Sequence, residues 1–301
     1  MDKVAIVILA AGIGSRYGGP KQMKKIGPGA HAIFEYSLRA AYDRGFRRVV
    51  CVIQRSQREE MEELLEKPRQ FMEIHCVEQD PSNVPSGTKI PIGRKKPWGT
   101  AHATYAAAHA VNGPFLVING DDLYGHQAWK DMEQLIGRFP KENATIAYRL
   151  RHTVPNAGAV SRGLCISDGE YLEKIEEFFQ IEQAHGKFID GRSNRCFTGD
   201  EPVSMNFFYF QREIFQIFRK NAAEFFNQSA EILSLAEWML PTVANECSRS
   251  GEISMRISIT NASWMGITNA SDAALVDGHI DELVRRGAYP KYLWENILPT
   301  P

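Results

Sequence analysis

An α/β fold is predicted: a Rossmann-like, doubly wound, mostly parallel sheet, then a mixed β half and C-terminal helices. Three observations carry it. The run Val4-Ala-Ile-Val-Ile-Leu9 is apolar at every position rather than at alternate ones, as a central parallel strand buried on both faces requires. A glycine-rich loop follows at once, and helical and strand-like segments then alternate at lengths suited to right-handed βαβ crossovers. From Ala144 onward the strand-like runs become short and are separated by polar, glycine-containing stretches, which predicts mixed β structure.

Each element has its own signal. Ala32 to Arg44 places Ile33, Tyr36, Leu38 and Ala41 at helical spacing and stops before Gly45, and Val49 to Ile53 is the second strand. Gln57 to Glu66 predicts a helix, Met72 to Val77 a third strand, Thr100 to Val111 an alanine-rich helix, and Pro114 to Asn119 a fourth strand. Ala144 to Leu150, Gly163 to Ile166 and Met205 to Phe210 are the later strands. Helices return at Gln211 to Lys220, Ser229 to Leu240 and Ala273 to Arg286. With no internal repeat and no low-complexity linker, one domain over 1–301 is expected, in two halves meeting near residue 140.

Composition excludes several classes. Hydrophobic residues make up 44% and charged residues 24% of 301, ordinary for a globular chain and unlike a disordered or collagenous one. Lys plus Arg number 35 against 36 acids, so no global basic field points to nucleic acid or an anionic membrane. The five cysteines form no Cys-x-x-Cys pair, which argues against a zinc cluster or a disulfide framework. Val4 to Ala11, the most apolar stretch, is far short of the roughly 18 residues that span a bilayer, and its flanks are not those of a signal peptide. A cytoplasmic location is expected. On that expectation the glycosylation patterns Asn143-Ala-Thr145 and Asn261-Ala-Ser263 are chance matches.

The chemistry concentrates in Leu9-Ala-Ala-Gly-Ile-Gly-Ser-Arg-Tyr-Gly-Gly-Pro-Lys-Gln22, at the strand end where doubly wound sheets bind ligands. A dinucleotide fingerprint fails at Tyr17, and a phosphate-binding Walker loop fails at Pro20. What remains is small residues and glycines that let backbone N–H groups approach an anion, with Arg16 and Lys21 as fork and point charge. A strand-to-helix turn with two solvated cations is the alternative. Asn119-Gly-Asp-Asp122 ends the fourth strand beside it, where Asp121 and Asp122 suggest a magnesium ion; a helix cap is the alternative. Lys96-Pro-Trp-Gly-Thr-Ala-His102 puts Gly99 and Thr100 at a helix start, open to a base or ribose, while His102 reads as a packed, hydrogen-bonded histidine. Glu78 and Gln79 end the third strand near where base contacts would fall, with Gln79 the expected one.

Taken together, Leu-Ala-Ala-Gly-x-Gly-x-Arg with a following Pro-Lys, a Gly-Thr-Ala helix start and Gly-Asp after a hydrophobic strand resemble the sugar-1-phosphate nucleotidylyltransferase family. Val203-Ser-Met-Asn-Phe-Phe, Leu240-Pro-Thr-Val, Trp264-Met-Gly-Ile-Thr and Tyr289-Pro-Lys-Tyr-Leu-Trp294 extend the resemblance over nearly the whole chain. It implies transfer of a nucleoside monophosphate from a triphosphate to a sugar 1-phosphate with Mg2+, a nucleotide-binding half at 1–140 and an acceptor-binding half at 141–301. Leu9, Ala10, Ala11, Gly12 and Gly14 would line the nucleotide, Arg16 and Lys21 would act on the triphosphate, and Asp121 matches the metal-binding carboxylate. Asn206 would face the sugar, and Glu173, Glu176 or Glu177 would accept a sugar hydroxyl, with Glu177 the expected residue.

Two departures stand out. Gly266 occupies a position where many members carry a second metal-binding Asp, leaving Asp122 or Asp272 to compensate or the ion to rely more on water and phosphate oxygens. Phe178 follows Glu177 where a Lys would meet the sugar phosphate, leaving Arg162 or Lys174. Two other readings stay open: cytidylyl transfer to a phosphorylated amino alcohol or phosphonate, with Trp98, Phe207, Phe208, Tyr209 and Trp264 as aromatic walls, and a nucleotide-sugar-binding module without activity. An NAD-dependent oxidoreductase is disfavoured, because Gln54 and Arg55 stand where an acid should follow the second strand.

Overall fold

The structure, a computed structural model, describes residues 1–14, 19, 21–94, 96–155, 158–184, 186–251, 253–267 and 270–297. Strand β1 (Ala5–Leu9) lies at the centre of a parallel set with β4 (Arg48–Ile53), β5 (Glu73–Glu78) and β6 (Phe115–Asn119) in the order β5-β4-β1-β6. Its continuous apolar run is explained by two separate cores. Ile6 and Ile8 pack toward helices α1 (Ile33–Tyr42), α2 (Arg58–Leu65) and α4 (His126–Arg138), whereas Ala5, Val7 and Leu9 pack toward α3 (Thr100–Ala106), α5 (Ile214–Phe226), α6 (Ala230–Leu235) and α7 (Leu240–Ser250). A hairpin of β2 (Lys25–Ile26) and β3 (His31–Ala32) leads into α1, where the Glu35 carboxylate accepts from the Ala32 N–H at 2.7 Å.

The later half continues the same sheet through β13 (Pro202–Phe210), which pairs antiparallel with β6. β9 (Val160–Ser167), β10 (Leu172–Ala184), β11 (Lys187–Asp190) and β12 (Cys196–Phe197) extend it antiparallel from β13. β8 (Asn143–Arg149) also pairs with β13 and, in parallel, with β14 (Met255–Thr260). After β6, the short β7 (Asp122–Leu123) pairs with β15 (Met265–Gly266), and α8 (Ala270–Arg285) follows. The α/β fold, parallel in its first half and mixed in its second, is therefore present. Among the described residues no helix is long and apolar enough to cross a membrane.

Several expected elements differ in detail. The helix expected over Ser229 to Leu240 is α6 alone and stops at Leu235, because Trp238 leaves helical geometry to donate its N–H to Trp98 O at 2.5 Å and accept from Ala101 N at 3.0 Å. A separate helix α7, which the sequence reading did not include, begins at Leu240 with Pro241 in its first turn. The alanine-rich helix ends at Ala106 and tightens into a 3-10 turn over Ala107–His109. Strands β10 and β14 were not anticipated. In β10 the buried positions are Leu172, Ile175, Phe178 and Ile181, every third residue, and irregular register at both ends of its pairing with β9 breaks the alternation that marks a strand.

Candidate active site

The site is assembled at the C-terminal ends of the parallel strands. Leu9 sits in register between Val52 and Asn119. The turns after β1 and β6 are joined directly, the Gly120 N–H donating to Leu9 O at 2.9 Å. Three glutamine amides then hold the loop's carbonyls. Gln22 Nε2 donates to Ala10 O at 2.5 Å and Gly12 O at 3.2 Å, Gln54 Nε2 to Ala11 O at 2.7 Å, and Gln57 Nε2 to Gly12 O at 3.3 Å. In a planar trans peptide the N–H points opposite to the C=O, so carbonyls held on the protein side turn the adjoining N–H groups outward. Gly14 completes the bend at φ +57°, where a Cβ would collide with the Gly19 carbonyl.

That loop faces a cavity of about 390 Å³. Of the residues expected from sequence, Leu9, Ala11, Gly12, Gly14, Lys21, Gln79, Gly99, Thr100 and Asp121 line it. Ala10 lies just behind, its carbonyl bound to Gln22 and its N–H donating to Val52 O at 2.8 Å. Arg16 lies outside the described residues. The Lys21 ammonium and the Asp121 carboxylate form an ion pair at the cavity wall, both side chains partly open to solvent. At the far wall Lys96 pairs with Glu237 at 2.5 Å.

Gly99 owes its identity to packing as much as to ligand access: it has φ +106°, and a Cβ there would stand 2.5 Å from Trp238 O. The Thr100 hydroxyl accepts the Leu240 N–H at 2.9 Å, which leaves one O–H to donate.

Neither expected acceptor residue lines the cavity, but Asn206 is held by Asn119, which does. Asn206 adopts φ +59° within the irregular register of β13, and its Nδ2 donates to Asn119 Oδ1 at 3.2 Å. Asn119 Nδ2 in turn donates to Asp122 Oδ2 at 2.8 Å. Asp122 is buried and does not line the cavity; burial and the neighbouring Asp121 charge hold its carboxyl well above the usual carboxylate range. Glu177 stands on β10 beside Gly163, and desolvation of its carboxyl raises its pKa, partly offset by the charge of Arg162.

Arg162 is committed inward. It donates to Thr153 Oγ1 at 3.0 Å, to the Thr153 carbonyl and to Ser161 O at 2.7 Å, lies 4.8 Å from the Trp264 ring centre, and is lowered to about 10 by burial. Lys174 and Glu173 are exposed, and Glu176 meets Arg195 at 3.7 Å.

Sequence reasoning missed Gln22, Gln54, Gln57 and Asn119 as site-builders. Gln22 and Asn119 each stood inside a quoted motif, beside Lys21 and Asp121; Gln54 and Gln57 arrive from the turn after β4 and are recognisable only once the strands are adjacent.

A divalent ion can be tested against the donors present. Among the described residues no three His, Cys, Asp or Glu side chains converge as a protein-only metal site. Two carboxylates line the cavity, Asp121 and Glu237; Glu237 is paired with Lys96 at the far wall, and Asp121 suits magnesium, which takes one or two carboxylates and fills its octahedron with water and phosphate oxygens.

The model of the nucleotidyl transferase family matches residues 5–272. The chain belongs to that family. Among solved structures, this nucleotidyl transferase is similar to an inositol-1-phosphate CTP transferase from T. maritima at 14% identity, with TM-score 0.62 and 98% and 97% of the two chains covered. It is also similar to a Bacillus anthracis protein assigned as a glucose-1-phosphate thymidylyltransferase, in complex with a sucrose, at 12% identity and TM-score 0.64, covering 93% and 96%. These likenesses establish the fold of this nucleotidyl transferase. No curated protein matches it significantly by sequence.

Proposed function

We propose that the enzyme transfers a nucleoside monophosphate from a nucleoside triphosphate to a sugar 1-phosphate, releasing pyrophosphate and forming a nucleoside-diphosphate sugar. The observation that carries the reading is the convergence of the carbonyl-pinned loop, Lys21 and Asp121 on one cavity. Two structural neighbours are named for nucleotidyl transfer to phosphorylated polyols, which supports the acceptor class by analogy.

In the proposed step an acceptor phosphate oxygen attacks the α-phosphorus in line. The bond from that phosphorus to the bridging oxygen breaks, and the electron pair leaves with pyrophosphate. No protein nucleophile takes part, so positioning and charge stabilisation must supply the acceleration. The outward N–H groups of the loop would hold the phosphate tail, with Arg16 beside them in sequence. Lys21 would bridge the reacting phosphates, and Gln79, Gly99 and Thr100 would meet the nucleoside. Mg2+, held by Asp121, would neutralise the charge gathering on the leaving pyrophosphate. Asn206 and Glu177 would meet the acceptor, and Asp122 would act through Asn119, whose amide it orients.

The cation-acceptor reading loses its motivation here. Trp98, Phe207, Phe208 and Tyr209 are buried core residues, and Trp264 is already covered by Arg162. A pyrophosphate-release matrix of four triphosphates against sugar 1-phosphates, inositol 1-phosphate and phosphocholine, with magnesium present, tests the proposal. Release with at least one sugar 1-phosphate is expected. Release with phosphocholine alone, or triphosphate binding with no release, would contradict it.

A further inference from the structure

Gln79 lines the nucleotide cavity, yet its side chain is tied at the back. Its Nε2 lies 3.2 Å from Gly99 O and 3.1 Å from His102 Nδ1, and His102 Nε2 lies 3.0 Å from Asn83 O. Backbone carbonyls stand at both ends of this chain of contacts, and a carbonyl only accepts. Gly99 O therefore requires the amide nitrogen of Gln79 on its side, and Asn83 O requires the imidazole proton on Nε2.

A neutral imidazole has one proton, so Nδ1 is left as an acceptor, which again calls for the amide nitrogen of Gln79. Burial lowers the His102 pKa, keeping the ring in its one-proton form. The carbonyl of Asn83 is itself fixed by a turn. Asp80 Oδ1 accepts from Ser82 N at 2.8 Å and Ser82 Oγ at 2.7 Å, and Asn83 N donates to Asp80 O at 3.0 Å.

We propose that His102 is a positioning residue for base selection: it fixes the Gln79 amide so that Oε1, an acceptor only, is the group presented to the nucleobase. Both N–H bonds of Gln79 are spent on Gly99 and His102. A base must then offer an N–H at that point, and a base edge with only acceptors there meets an unpaired carbonyl oxygen. This rests on the nucleotide reading of the cavity and adds the hydrogen-bonding polarity of the base contact.

The test is calorimetric binding of wild type, His102→Leu and His102→Asn to inorganic tripolyphosphate, to the four triphosphates, and to analogues whose Watson–Crick N–H is blocked by methylation. Wild type should bind one triphosphate best and lose at least about tenfold when its base is methylated. His102→Leu should bind that pair within about threefold of each other while keeping wild-type affinity for tripolyphosphate. His102→Asn, whose Oδ1 can replace Nδ1 as acceptor, should keep the wild-type discrimination.

Full discrimination in His102→Leu would overturn the proposal, as would loss of tripolyphosphate binding in both variants, which a merely structural role predicts. If wild type binds tripolyphosphate and triphosphates but ignores methylation, this inference alone fails. If it binds neither, the nucleotide reading fails with it. Should His102→Leu not fold, the nitrogen-15 shifts of His102 in the wild-type protein decide: protonation on Nε2 supports the proposal, and protonation on Nδ1 contradicts it.

Discussion

Lys21 and Asp121 form an ion pair although the chain separates them by most of two βαβ units, because the register of β1 against β6 sets Leu9 beside Asn119. Each side chain keeps 21% exposure, so the pair is accessible to an incoming polyanion and its ion. As a stabilising contact a pair this open contributes little. Its value is positional, since it holds the ammonium and the carboxylate at one wall before substrate arrives. Lys21→Ala and Asp121→Ala are each expected to fold normally and to lose at least about a hundredfold in turnover. The double variant should lose less than the product of the two, because the groups act together. Steady-state kinetics beside thermal melts checks this; turnover within a few fold of wild type in either single variant would contradict it.

The glutamine amides behind the loop predict a different signature. Gln22 is buried and satisfies the carbonyls of Ala10 and Gly12. Gln22→Leu fills similar volume but leaves those acceptors unpaired, so a loss of about 1–3 kcal/mol in stability is expected. The freed peptide planes should also raise the triphosphate KM. Chemical denaturation and KM measured on the same preparation check both effects.

A third prediction concerns Gly266. A Cβ at that position would stand 2.6 Å from Asp122 Oδ1 and 2.6 Å from the Trp264 ring. The Asp122 carboxyl and the indole thus fill the space a side chain at 266 would need, which gives a physical reason for glycine there. Gly266→Asp should destabilise by about 1–3 kcal/mol through overpacking. It should not tighten magnesium binding, because its carboxylate would meet that of Asp122. Thermal melts and Mg2+ titration of the nucleotide complex test this, and tighter magnesium binding with unchanged stability would contradict it.

The fold was largely readable from sequence because β1, β4 and β6 are apolar on both faces and the helices keep their 3.6-residue period. Where it was not readable, the cause is identifiable. In β10 irregular register replaces the two-residue period, and the α6 helix stops at Leu235 because Trp238 is claimed by Trp98, far away in sequence.

The candidate site follows the same division. Lys21 and Asp121 sit in local motifs, and both reach the cavity. The roles of Gln54, Gln57 and Asn119 depend on which strands become neighbours, which no local pattern states. In sequence both Asp121 and Asp122 suggested a magnesium ligand, with Asp121 the one the resemblance matched. Two consecutive residues at a turn point in different directions, and only Asp121 reaches the cavity.

A pH effect follows from His102, on whose charge those of Asp80 and Arg94 act in opposite directions. Its pKa is lowered in the folded protein, so the unfolded chain takes up the proton first as pH falls below about 6.5. The stability it contributes is complete above that value and is lost as pH drops through the folded-state pKa. His102→Asn removes this term. The difference in Tm between His102→Asn and wild type should therefore grow more positive from pH 7.5 to pH 5. A constant difference across that range would contradict the assignment.

The most direct test of the central claim follows the α-phosphorus. With α-labelled triphosphate, magnesium and the acceptor selected from the release matrix, the label should move into a nucleoside-diphosphate product in step with unlabelled pyrophosphate, and Lys21→Ala should slow both by at least about a hundredfold. Label that stays with hydrolysed nucleotide, or transfer that persists undiminished in Lys21→Ala, would contradict the account.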